Sequence, residues 1–243
     1  MGRSGLAISA CAAALACVSL GASCSKDIFD VTVNLSSETY SANVGTQSGT
    51  IPTVTCDPAA PTACTGGQAA DANGMVVTTG PATVGVTLSC DAATVRCFAQ
   101  VNVRVVYPVD VSQDDAFVAA VAQRSISLVR LADLAYTVPV NTLTFEAPAV
   151  DIYVGPAGTA LETDPGVVMV GSTAPIPAGT PVTAAQHVTI ADGSPGRALI
   201  EESVQAEQPF VLVLTMGPRI EAGDPIPAGT FEVDLSPTVQ LGF

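Results

Sequence analysis

The feature that most limits what this chain can fold into is a one-by-one alternation of apolar and polar residues, broken at short intervals by glycine, proline, asparagine and aspartate. Phe29, Val31, Val33 and Leu35 fall on one side of an extended segment, with Asp30, Thr32 and Asn34 on the other. Successive side chains of a strand point to opposite faces, so such a segment reads as a half-buried β-strand. The pattern returns at Val84, Val86 and Leu88, and at Val101, Val103 and Val105, where Gln100, Asn102 and Arg104 oppose them. It recurs at Val150, Ile152 and Val154, at Phe231, Val233 and Leu235, and at Val239, Leu241 and Phe243. The run Phe210 to Met216 is apolar on both sides through Val211, Leu212, Val213 and Leu214, which predicts a central strand covered on each face. Strands separated by turn residues at this spacing predict an all-β fold, an antiparallel β-sandwich.

One or two short helices interrupt the strands. Ser112 stands three residues before Asp115, ahead of Ala116-Phe117-Val118, and reads as an N-cap. Ser194-Pro195 opens a second helix that runs through Leu199, Ile200 and Val204 and ends before Pro209. Pro-Ile-Pro-Ala-Gly-Thr occurs at 175–180 and at 225–230, and Pro156-Ala157-Gly158-Thr159 shares its end. The sequences between do not match, so one turn is reused rather than one unit duplicated; glycine supplies the positive φ and proline ends strand pairing.

The first residues carry a different signal. Arg3 precedes a charge-free apolar run from Leu6 to Leu20, followed by Gly21-Ala22-Ser23-Cys24-Ser25. A short positive end, a stretch of roughly 7 to 15 apolar residues and small residues before the cut describe a secretory leader rather than a membrane-spanning helix. The small residues ending on Cys24 resemble the lipobox of bacterial lipoproteins, although Leu20 stands four places before the cysteine where the common motif has leucine three before. The resemblance implies cleavage before Cys24 and lipidation of its sulfur, and Ser25 in the next position implies sorting to the outer membrane or cell surface. Residues 1–23 are then signal peptide, 24–28 a tether and 29–243 the sandwich domain, with 108–113 the place for a sub-boundary. Ordinary cleavage near Ser23, or lipidation at Cys17 after Ala14-Leu15-Ala16, are the competing readings.

Cysteine parity favours Cys24. The chain has 7 cysteines; with Cys11 and Cys17 discarded and Cys24 lipidated, Cys56, Cys64, Cys90 and Cys97 remain, an even set suited to an oxidising compartment. Their spacings favour local disulfides, Cys56 with Cys64 and Cys90 with Cys97. The spacings do not suit zinc, and no histidine lies near them.

Removal of the leader takes away Arg3 alone among the charges, leaving 7 basic against 22 acidic residues, a net of −15. Such a surface repels phosphates and gives no nucleic-acid partner. A mean hydropathy of +0.47 is too high for a disordered chain.

No motif implies a reaction, and we assign no catalytic residue, cofactor or metal ligand from the sequence. His187 is the only imidazole and no Gly-x-Ser-x-Gly elbow accompanies it. Asp71-Ala72-Asn73-Gly74 lacks the closing glutamate of a calcium loop and reads as a hairpin turn. Asp110, Asp114 and Asp115, and Glu201 with Glu202, are carboxylate groupings with a capping or solvated-face explanation. The expectation is a non-enzymatic, lipid-anchored, disulfide-stabilised envelope sandwich with a structural or binding role, its partner a protein or glycan that the sequence does not name. An envelope hydrolase or carbohydrate-active enzyme is the alternative. An outer-membrane β-barrel, suggested by the alternation up to Phe243, is weakened by Pro237 and by only 5% aromatic residues.

Overall fold

Two antiparallel sheets face each other across one hydrophobic core in the computed structural model, which describes residues 31–45, 50, 75–79, 82–91, 93–122, 124–191, 193–225 and 227–243. The leader, Cys24, Cys56, Cys64 and the 71–74 turn lie outside the described residues. The strands form two open sheets rather than one closed barrel, so the sandwich holds and the barrel does not describe these residues.

The first sheet is built on β13 (Gly229–Gly242) and β6 (Leu128–Asn141), paired along their whole length, with β9 (Val182–His187) on the far edge of β6. On the other edge of β13 lie β1 (Val31–Asn34), against Thr238 to Leu241, and β2 (Glu38–Gly45), against Gly229 to Leu235. These two act as one interrupted strand. Phe231–Leu235 and Val239–Leu241, which the alternation presents as separate strands, are halves of β13. Pro237 sits where the edge partner changes from β2 to β1, the position where a missing N–H costs the ladder least. Val239 and Leu241 are fully buried, while Phe243 lies past the strand end, half-buried, with the Arg124 guanidinium 5.1 Å from its ring centroid. Phe243 therefore flanks the core rather than filling it.

The second sheet runs β10 (Thr189–Ile190), β8 (Val168–Ser172), β7 (Asp151–Pro156), β11 (Phe210–Met216), β5 (Arg96–Val109), β4 (Ala82–Asp91) and β3 (Met75–Thr79). Short β12 (Arg219–Glu221) continues β11 along β5 in unbroken register, across Gly217-Pro218. As the continuous apolar run predicts, β11 is central, between β5 and β7. Residues 108–113 do not separate two cores: strands from before and after them pair within both sheets.

The helices close gaps between the layers. The first, α1 (Asp115–Val121), is capped by Asp114 and not by Ser112; Asp114 Oδ1 accepts from the Phe117 amide at 2.9 Å. Ser112 instead belongs to a 3₁₀ turn over Val111–Gln113, capped by Asp110. The reason is spacing: an N-cap side chain satisfies an amide two or three residues on, and the helical run begins after Asp114. The second, α2 (Pro195–Gln205), has the expected Ser194 cap and the expected proline in its first turn. Glu201 on α2 accepts from the Leu131 amide at 2.8 Å, so a carboxylate occupies the β6 edge beyond the end of β9. The repeated Pro-Ala-Gly-Thr turns share one device, glycine at positive φ: +91° at Gly158, +60° at Gly179 and +117° at Gly229.

Candidate functional site

Two concavities stand out among the described residues, and each follows from a local break in strand pairing. The first opens between the layers where β1 gives way to β2. Pro237 offers no donor there, and the Ser36 amide turns to Asp114, donating to Oδ2 at 2.7 Å. The resulting cleft, about 230 Å³, has Tyr40, Tyr107, Leu212 and Leu235 inside and Asp110 and Asp114 at its mouth. The tyrosine rings meet edge to face, centroids 4.9 Å apart and planes at 75°, an arrangement in which the positive ring edge meets the negative face. Partial burial pulls the Asp114 carboxyl upward, but the amides of Ser36 and Phe117 outweigh it and hold the group below the ordinary aspartate value. Asp110 likewise accepts from the Ser112 amide at 3.0 Å and from its hydroxyl at 2.6 Å. These carboxylates are spent on capping turns, and among the described residues no three acidic, histidine or cysteine side chains gather where a metal ion would sit.

The second concavity lies on the outer face of the larger sheet. Even-numbered residues of β5 and odd-numbered residues of β4 and β11 point outward there, opposite the buried Val101, Val103, Val105, Val84 and Leu212. Register sets Thr83, Arg104 and Thr215 in one row across three strands, with Gly85 opposite Asn102 in the next. The β7–β8 connection, 157–167, folds back over this face, because Glu162 reaches Arg104 two strands away from β7. Its carboxylate accepts twice from the guanidinium, from Nε at 2.6 Å and from Nη2 at 2.9 Å. That crossing explains why Val211 and Val213, on the outer side of β11, are 4% and 0% exposed. Asp164 pins the crossing by accepting from the amides of Ala160 and Leu161, each at 2.9 Å.

Beside it a trough of about 490 Å³ is left open, lined by Thr83, Gly85, Asn102, Arg104, Glu162 and Thr215 among others. The Arg104 hydrogen bonds hold the Glu162 carboxyl below its usual range, and Glu162 in turn raises Arg104. Further along the same face, Arg219 bonds Asp91 and Glu221, each at 2.6 Å, and its guanidinium stacks 3.8 Å over the Phe98 ring.

Of the residues singled out in sequence, His187 ends β9 on an exposed edge, Nδ1 2.8 Å from Asp133 Oδ2, and lines neither concavity. Cys90 and Cys97 stand directly opposite one another on β4 and β5, on the inner side. Glu162 and the trough carry no sequence motif. The available signal is a glycine in the middle of an otherwise β-branched strand, Thr83-Val84-Gly85-Val86-Thr87. Comparison with protein-family models, curated proteins and solved structures finds no match to this chain.

Proposed function

We propose that this chain is a lipid-anchored, non-catalytic binding module of the bacterial cell envelope, held at the outer membrane through acylated Cys24. The observation that carries the reading is the leader itself, Arg3, the apolar Leu6 to Leu20 run and small residues ending on Cys24, set only seven positions before Val31, where β1 begins. Seven residues span at most about 25 Å, so the anchor would hold the sandwich against the membrane surface. Two or more acyl chains suffice for stable anchoring.

A binding rather than a chemical role is favoured by how the reactive groups are used. The sole imidazole is held by Asp133 on an exposed edge, and the carboxylates near both concavities cap turns or neutralise arginines. A Cys90–Cys97 crosslink would staple the β4–β5 hairpin on the core side, which the directly opposed positions favour. A loop this short gives about 2 to 3 kcal/mol in the chain-entropy model.

The test is labelling of the full chain with an alkyne-tagged fatty acid in a Gram-negative host. Incorporation that Cys24→Ala abolishes, together with recovery in the outer-membrane fraction, is the expected result. An intact mass showing an unmodified amino terminus would overturn the anchor.

A further inference from the structure

Gly85 lies in the interior of β4, paired with β3 on one side and β5 on the other. A glycine in a strand costs roughly 0.5 to 1 kcal/mol relative to alanine, and usually marks a bulge or a close approach by another group. Among the described residues, neither a bulge nor a neighbour accounts for this one. The register of β4 with both partners is regular, and a Cβ added at Gly85 would meet nothing within 4 Å among the described residues. What the missing side chain does is leave the trough floor as bare backbone. In register with Asn102, the row continues to Gly217, over which Gln100 folds, its Nε2 donating to the Gly217 carbonyl at 2.7 Å.

The walls decide what such a floor would receive. Thr83, Thr215 and the exposed Asn102 offer neutral hydroxyls and an amide. Arg104 at one end is already neutralised by Glu162, and Arg219 beyond the other end by Asp91 and Glu221. The net charge of the body adds a field that repels anions. Among the described lining residues the large apolar side chains are Val103 and Met216, both buried on the inner side of the sheet, so they offer no wall to a lipid or an apolar side chain. A volume of about 490 Å³ falls within the roughly 300 to 1,000 Å³ typical of small-molecule sites.

A flat floor, neutral hydrogen-bonding walls and fixed, internally paired charges suit a polyhydroxylated, uncharged ligand. We propose that the trough over Gly85 and Asn102 is a binding site for neutral oligosaccharide, recognised without hydrolysis. This deepens the binding-module reading by naming the ligand class, and it does not depend on the anchor: sugar binding is read directly on the protein, whereas loss of fatty-acid labelling would leave it untouched.

The experiment is calorimetric titration of the full chain in detergent with maltotriose, cellotriose, chitotriose and xylotriose, with trigalacturonate as the charged comparator. At least one neutral trisaccharide should bind with a dissociation constant below about 10 mM, and more tightly than trigalacturonate. Gly85→Val, which suits a strand and has room for its side chain, should fold with an unchanged or higher Tm and bind at least about tenfold more weakly. Asn102→Ala should weaken binding by about two- to tenfold, the loss of one hydrogen bond. Wild-type affinity in a folded Gly85→Val protein would overturn the site. Absence of binding to every neutral trisaccharide, or tighter binding of trigalacturonate, would overturn the ligand class.

Discussion

The outer faces of the two sheets solve the same problem in opposite ways. On the five-stranded sheet, polar residues pair across strands and close the surface on itself. Thr39 donates to Asp234 at 2.6 Å, Thr137 approaches the same carboxylate at 3.4 Å, and Thr238 donates to Asn34 at 3.0 Å. On the eight-stranded sheet, the central strand is apolar on both sides, so its outer face has to be roofed. The 157–167 connection supplies the roof over Val211 and Val213 and stops short of Gly85, leaving the trough at its margin. A polar ladder makes a finished surface, whereas an apolar outer face creates a roof and the roof creates an edge where a ligand can sit.

The sharpest way to break this contrast is to place a charge on each face. Val213→Asp would bury an unpaired carboxylate beneath the roof and should cost about 3 to 5 kcal/mol or prevent folding. Ser41→Asp, on the exposed face of the smaller sheet opposite Glu232, should cost only about 0.2 to 1 kcal/mol through like-charge pairing. Urea denaturation of both variants checks this, and equal losses would show that Val213 is not roofed.

Gly155→Ala tests the roof from below. A Cβ there would press into Thr159 Oγ1 and lie 2.8 Å from Val167 Cγ2, so the connection has to lift. The expected cost is about 1 to 3 kcal/mol, with faster hydrogen exchange confined to 157–167.

The smallest effect belongs to the Arg104–Glu162 pair, whose side chains are 30% and 27% exposed. Glu162→Gln should cost no more than about 1 kcal/mol. Its pH dependence is more telling. Because the folded carboxyl titrates below its unfolded value, the contribution is complete above about pH 4.3, the ordinary glutamate pKa, and is lost as pH falls through the lowered folded value. Exchange protection of 157–167 should therefore persist at pH 5 and fade only in stronger acid, whereas a rise in exchange already complete at pH 5 would show that the pair does not latch the roof.

Much of the layer architecture was legible in the chain. Val101, Val103 and Val105 turned inward as their alternation requires, and the doubly apolar Phe210 to Met216 run became the central strand. Burial of a period-two face is a local property of extended backbone and needs no knowledge of the partner. Strand β6 was not legible, because bulges shift its phase: its buried residues run Val129 and Leu131, then Leu134, Tyr136 and Val138, then Asn141. Steps of three at 131 to 134 and 138 to 141 erase the alternation, and only pairing with β13 reveals where the extra residues go. The capping of α1 by Asp114 was displaced by two places from the serine that the local pattern suggested, since Asp114 also serves the Ser36 amide, 78 residues away in the chain. The trough is wholly a tertiary product. Gly85 announces a gap in one strand, but its walls come from β5, β11 and a connection that returns to Arg104 across 58 residues, and no local rule relates residues that meet only because two sheets and a roof have formed.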